Sequence, residues 1–195
     1  MRYIRRSLPG VIEMHPFKKG DDRGYFAEMW REDQFTEHAG ARHFVQENQS
    51  LSARAGTVRG VHFQANPFAQ GKLVRVLTGA IFDVAVDLRH DSPHFGQWIG
   101  VELSADAANQ LWVPPGFGHG FCTLLPDTAV CYKITAYYSP EHDQGVAWDD
   151  PTLNIQWPEL LDRKTLSAKD RVQPALAHLP PLFSVHDDME EPGDA

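Results

Sequence analysis

The chain has 195 residues, 42% of them hydrophobic and 23% charged, with a formal net charge of −8. That length fits one domain that buries about 70% of its unfolded surface without help from a disulfide or metal. The negative charge argues against nucleic acid or an anionic membrane as main partner, and no apolar run approaches the roughly 18 residues of a membrane span. An anionic ligand stays open, because a few Arg and Lys can gather in one cleft while acidic residues cover the exterior.

Met1 to Arg6 is basic, but no apolar stretch follows that is long enough for a signal peptide, so a cytoplasmic protein is expected. Residues 11–15 and 24–30 read as short extended pieces, with residues 18–24 between them as a polar turn. Residues 32–38 suit a short helix that Gly40 ends. Strand character resumes at 44–50, and again at Arg59-Gly60-Val61-His62-Phe63-Gln64. Residues 73–77 and 81–88 are two strands joined by a turn at Gly79. In the second, Phe82, Val84, Val86 and Leu88 share one face, while Asp83, Ala85 and Asp87 share the other.

Further strands are expected at 97–103, 110–113, 121–125 and 129–138, with a Pro-Gly turn at 114–116 just before His119. Cys122 and Cys131 flank Pro126-Asp127, and a hairpin centred there places them opposite each other. In a reducing cytoplasm two buried thiols are expected rather than a disulfide. Beyond residue 150 the chain is proline-rich and less regular, with a short helix near 166–170. Residues 1–185 therefore read as one domain, and the acidic tail 186–195 as flexible. Short strands punctuated by Gly, Pro and Asp, with almost no helical periodicity, mean an all-β fold. A jelly-roll barrel with short peripheral helices is the version that leaves room for an interior pocket.

Chemistry-bearing side chains concentrate on these strands. His62 and His119 read as two walls of one polar site. Tyr132 and Tyr138 share a strand face by the period-two rule, and Lys72 shares one with Val74 and Val76. Each also has a plain structural reading: tyrosines with satisfied hydroxyls, and a lysine that snorkels to water. Metal-binding jelly rolls of the cupin kind combine a His-x-His pair, a carboxylate and a distant histidine after a Pro-x-Gly turn. Here the position two after His62 is Gln64, a poor ligand for a transition metal, and no carboxylate falls between Ala65 and Gly71, so no metal site is expected.

The motifs 59–64, Gln70-Gly71-Lys72-Leu73-Val74-Arg75, Phe82-Asp83-Val84-Ala85-Val86-Asp87, Ser92-Pro93 with Phe95-Gly96-Gln97-Trp98, Pro115-Gly116-Phe117-Gly118-His119-Gly120-Phe121 and Leu166-Ser167-Ala168-Lys169-Asp170 stand in order over about residues 3–172. In these the chain resembles the dTDP-4-dehydrorhamnose 3,5-epimerase family. The resemblance implies a metal-free, cofactor-independent, cupin-like jelly roll that works as a homodimer. Its substrate would be a dTDP-linked 4-keto-6-deoxyhexose, epimerised at C3 and C5 on the way to dTDP-L-rhamnose. The alternative is a relative that inverts only C3 or only C5.

By position, the resemblance implies His62 as proton acceptor with Asp170 as its partner, Tyr132 as proton donor, and Lys72 beside the C4 oxygen. It implies Arg23, Phe26, Glu28, Gln46, Asn48, Arg59, His119, Tyr138, Asp143 and Lys169 as substrate-binding residues. Asp143 departs from the family's usual Glu by one methylene, which puts its contact in doubt. Gln49 occupies a position often held by His and is given no role.

Overall fold

The structure is a computed structural model in which residues 1–187 are described. Its strands, in chain order, are β1 (Arg2–Arg5), β2 (Ile12–His15), β3 (Lys18–Asp21), β4 (Gly24–Ala27), β5 (Gln46–Ser52), β6 (Val58–Gln64), β7 (Lys72–Thr78), β8 (Ala80–Asp87), β9 (Trp98–Ser104), β10 (Gln110–Val113), β11 (Phe117–Thr123), β12 (Thr128–Ile134) and β13 (Asp143–Gly145). One helix, α1 (Glu32–Ala39), precedes β5; Gly40 ends it at φ +79°, a conformation glycine adopts without penalty.

Two antiparallel sheets face each other. One runs β1-β2-β10-β7-β12-β5, the other β13-β6-β11-β8-β9, and β3-β4 form a separate hairpin. Chain neighbours β7 and β8 do not pair. Gly79 carries the chain from one sheet to the other at φ +81°, where an added Cβ would lie 2.2 Å from Thr128 Oγ1. Between the sheets packs a core of Val74, Val76, Leu111, Val113 and Val130 from one side and Ile81, Ala85, Val101, Leu103, Phe117 and Phe121 from the other. The arrangement is a jelly roll, as expected.

Each sheet has its outer face covered too. Phe35 of α1, with Phe44, packs on Trp112, Leu73, Ile12 and Met14 of the six-stranded sheet. Val61, Phe63, Val84, Val86 and Leu88 of the five-stranded sheet lie under Val146, Leu153, Ile155, Leu176 and Phe183 from the C-terminal segment. The apolar face of β8 thus points outward beneath this segment, and the polar face carrying Asp83 and Ala85 points into the barrel. Among the described residues, no helix is long and apolar enough to cross a membrane.

Several local expectations are corrected. Residues 18–24 are a strand and a tight turn rather than a turn alone. The turn expected before His119 is present at residues 115–116, but β11 starts at Phe117 rather than 121, so His119 sits within the strand. β12 stops at Ile134, leaving 135–139 irregular. Near 166–170 there is no helix: a 3₁₀ turn spans Arg163–Thr165, and the Ser167 hydroxyl accepts the Asp170 amide, in place of a helical carbonyl. β11 and β12 lie in different sheets, so no hairpin brings the cysteines together. Cys122 is in register with Val58 and Phe82, Cys131 with Gln49 and Arg75, and both thiols are free and buried. Of the tail expected from 186 on, residues 188–195 lie outside the described residues.

Candidate active site

Side chains alternate along a strand, so on β6 the apolar Val61 and Phe63 face the C-terminal cover while His62 and Gln64 face the barrel. The same alternation aims Lys72 of β7, Tyr132 and Ile134 of β12, and Asn48 of β5 inward. These side chains, with Tyr138 and Asp143, line a cavity of about 160 Å³. Pockets for drug-sized ligands start at about 300 Å³. The cavity is therefore smaller than a site that encloses a whole drug-sized ligand.

Glycine brings the two histidine strands close enough. β6 and β11 pair with His62 opposite His119. A Cβ on Gly60, at φ +123°, would fall 2.4 Å from the Gly120 Cα and 2.8 Å from the His119 carbonyl oxygen. Only a glycine fits this backbone contact, which accounts for Gly60 ahead of His62.

His62 Nε2 lies 2.5 Å from Asp170 Oδ1, and the other oxygen of Asp170 accepts the Ser167 hydroxyl at 2.8 Å. With Nε2 held by the carboxylate, Nδ1 is the ring nitrogen left to act as a base. Burial drives the Asp170 carboxyl up, but the hydrogen bonds of His62 and Ser167 outweigh it and hold the group below the usual carboxylate range. Asp170 is therefore an anion behind the imidazole, placed to stabilise its protonated form.

From the opposite sheet come Tyr132 and Lys72. Burial raises the Tyr132 phenol above its ordinary pKa, against the pull of nearby Arg59 and a hydrogen bond with Asn48, so it remains a neutral donor. Lys72, 8% exposed, reaches across the barrel and donates to the His62 main-chain carbonyl at 3.4 Å. Burial lowers its pKa to about 8, with Asp143 and Asp83 pulling the other way.

Six of the fourteen sequence-derived residues line this cavity, and Asp170, Lys169 and Gln46 bond to side chains that do. Asp143 makes two direct contacts: its Oδ2 takes the Lys169 ammonium at 2.6 Å and the Tyr138 hydroxyl at 3.0 Å. Gln46 donates to Asn48 Oδ1 at 2.9 Å. His119 is buried and bonded to Asp83 Oδ1 at 2.7 Å. Arg59, exposed at the rim, donates to Ser52 Oγ and to the Leu51 carbonyl.

Arg23, Phe26 and Glu28 stand apart. Arg23 pairs with Asp21 within the β3–β4 hairpin, and Phe26 is 75% exposed. Glu28 lines a separate cleft of about 530 Å³ with Glu47, Arg75 and Lys133, residues of the opposite strand faces, and so lies outside the barrel. Gln64 and Gln70 line the inner cavity without having been singled out for it. For Gln64 the signal was present, since it stands two residues after His62 on the same strand face.

An imidazole backed by a carboxylate, facing a neutral phenol and a buried lysine inside a jelly roll, is an arrangement suited to moving protons. The family model described as dTDP-4-dehydrorhamnose 3,5-epimerase matches residues 5–178. The chain belongs to that family. It is 54% identical over 183 residues to the dTDP-4-dehydrorhamnose 3,5-epimerase of Sinorhizobium fredii, covering 94% of this chain and 93% of the relative. The crystal structure of the Bacillus anthracis 3,5-epimerase with TDP and PPi bound is similar at TM-score 0.85 and 50% identity, over 89% of this chain and 98% of that one. That of the Legionella pneumophila dTDP-6-deoxy-D-glucose-3,5-epimerase in complex with dTDP-4-keto-L-rhamnose is similar at TM-score 0.87 and 40% identity, over 94% and 97%.

Proposed function

We propose that the protein epimerises C3 and C5 of dTDP-4-keto-6-deoxy-D-glucose to give dTDP-4-keto-L-rhamnose, on the way to dTDP-L-rhamnose. The observation that carries this reading is the His62–Asp170 pair facing Tyr132 across one cavity from the opposite sheet. The C4 carbonyl acidifies the protons on both neighbouring carbons, so loss of either gives an enolate with charge on the C4 oxygen. His62 Nδ1 takes the proton, and Asp170 stabilises the imidazolium that forms. Lys72 stabilises charge that develops on the C4 oxygen only as the proton leaves. Tyr132 returns a proton from the other side, which inverts the centre. A redox cofactor or metal ion has no step to perform in this scheme.

The diphosphate and nucleoside lie along the rim, where Arg59 and Lys169 supply positive charge; Gln46, Asn48, Tyr138 and Asp143 supply polar contacts beside it, and buried His119 acts from within the barrel. Arg23, Phe26 and Glu28 lie away from their own cavity, so we assign them to a homodimer, in which an exposed hairpin serves a second copy. We place the protein in the cytoplasm, where its two buried thiols stay reduced.

Incubation with dTDP-4-keto-6-deoxy-D-glucose in heavy water tests the reading. Two deuterium atoms in the product, counted by mass spectrometry, are expected; one deuterium makes the protein a C3-only or C5-only epimerase. His62→Ala is expected to abolish uptake at both carbons while nucleotide binding stays measurable. Exchange at the native rate in that variant overturns the assignment of the base.

A further inference from the structure

Tyr138 reaches the cavity from residues 135–139, which belong to neither sheet. A chain segment without a ladder must find partners for its peptide groups elsewhere. The Thr135 amide and the Ser139 carbonyl find backbone partners in Gly71 and His142, but groups between them are held by three glutamines. Gln70 donates to the Ala136 carbonyl at 3.0 Å, and Gln46 accepts the Tyr138 amide at 3.2 Å. Gln64 does more. Its Nε2 donates to the Tyr137 carbonyl at 3.1 Å and to the Phe68 carbonyl at 2.8 Å, and its Oε1 accepts the Ser139 amide at 2.7 Å. The carboxamide thus grips the peptide groups on both sides of Tyr138.

Gln64 is 3% exposed. It stands where a metal-binding jelly roll places its second histidine, and its amide is spent on the backbone of the opposite wall. The Tyr138 phenol is also tied at its far end, donating to Asp143, whose strand pairs with β6 at Gln64 itself. Strand β6 therefore carries the base His62 and, two residues on, the group that sets the wall facing it.

We propose that Gln64 is a positioning residue. By fixing Tyr138 it sets the width of the cavity, and with it the relative ease with which C3 and C5 are presented to the single base His62. This rests on the epimerase reading given above. One imidazole serves two ring carbons, so the ring must be accepted in a pose for each, and the position of the wall discriminates between the poses.

The test follows initial deuterium uptake at C3 and C5 separately, by NMR, with KM and kcat determined alongside. In Gln64→Met the ratio of uptake at the two carbons is expected to change at least threefold and KM to rise at least fivefold. Gln64→Glu keeps the acceptor for the Ser139 amide and loses both donated bonds, so it is expected to fall between Met and wild type. In a Tyr138→Ala background, Gln64→Met is expected to change the ratio no further. An unchanged ratio and KM in folded Gln64→Met, or the full change in the Tyr138→Ala background, overturns the proposal. If Gln64→Met does not fold, Gln64→Glu decides on the same two readouts. A wild-type chain that takes up no deuterium sinks the reaction and the role of Gln64 together. A wild-type chain that exchanges, with a ratio unmoved by substitution, sinks the role of Gln64 alone.

Discussion

Asp170 and His62 are 108 positions apart in the chain, yet the carboxylate and the ring nitrogen meet at 2.5 Å. The contact fixes which nitrogen of His62 faces the cavity and sets a carboxylate directly behind the ring. Replacing Asp170 with Asn keeps the shape and removes the charge. The turnover rate is expected to fall by roughly 10²–10⁴-fold, while dTDP titration gives a dissociation constant within about twofold of wild type. Unchanged turnover in Asp170→Asn would mean that the imidazole works without its partner.

Tyr132 is half-buried, and burial raises its phenol above the ordinary pKa. Tyr132→Phe is expected to separate the two halves of the reaction. Washout of deuterium from substrate labelled at C3 and C5 continues, whereas formation of inverted product falls by roughly 10²–10³-fold. Equal losses in both measurements would remove Tyr132 as the returning donor.

Lys72 makes a pH-dependent prediction. Its folded pKa of about 8 lies below the ordinary 10.5, with burial as the chief cause. Below pH 8 the ammonium is charged in both folded and unfolded chains, and the folded chain carries the whole cost of burying it. Between pH 8 and 10.5 the folded chain sheds that proton first, so this group's contribution to stability improves as pH rises. Lys72→Met is therefore expected to raise the unfolding free energy at pH 7, by at most about 3 kcal/mol, with the gain shrinking toward pH 10.5. The same variant is expected to lose activity, and wild-type activity to decline above about pH 8. Thermal melts and initial rates across that range check both signs.

Gly60→Ala tests the close approach of β6 and β11. The new methyl group would sit 2.4 Å from the Gly120 Cα, at a positive φ that alanine does not favour. A loss of at least about 3 kcal/mol is expected, read as a fall in the urea midpoint with unchanged slope. A variant within about 0.5 kcal/mol of wild type would show that the two strands can part.

Much of the inner wall was legible in the sequence. His62, Lys72 and Tyr132 follow from strand alternation, and Asp170 from the resemblance of 166–170 to a known motif. What alternation does not reveal is which face is interior when both are covered. On β8 the apolar row Phe82, Val84, Val86 and Leu88 turned out to be the outer one, because the C-terminal segment packs over it. Pairing between sheets was equally hidden. Residues 124–127 look like a hairpin turn but carry the chain from one sheet to the other, which parts Cys122 from Cys131. Tyr138 reached the cavity by a route that periodicity does not describe, through side-chain bonds to an irregular segment. Arg23, Phe26 and Glu28 were placed by resemblance alone, and they lie outside the cavity of their own chain.

The C-terminal segment that shields Val84, Val86 and Phe63 also delivers Asp170. A ribosome therefore completes the barrel walls, with His62, Lys72 and Tyr132 already in them, before the carboxylate that pairs with His62 has been synthesised. Under the proposed mechanism, a product terminated early is left both unsealed over β8 and without the partner of its base.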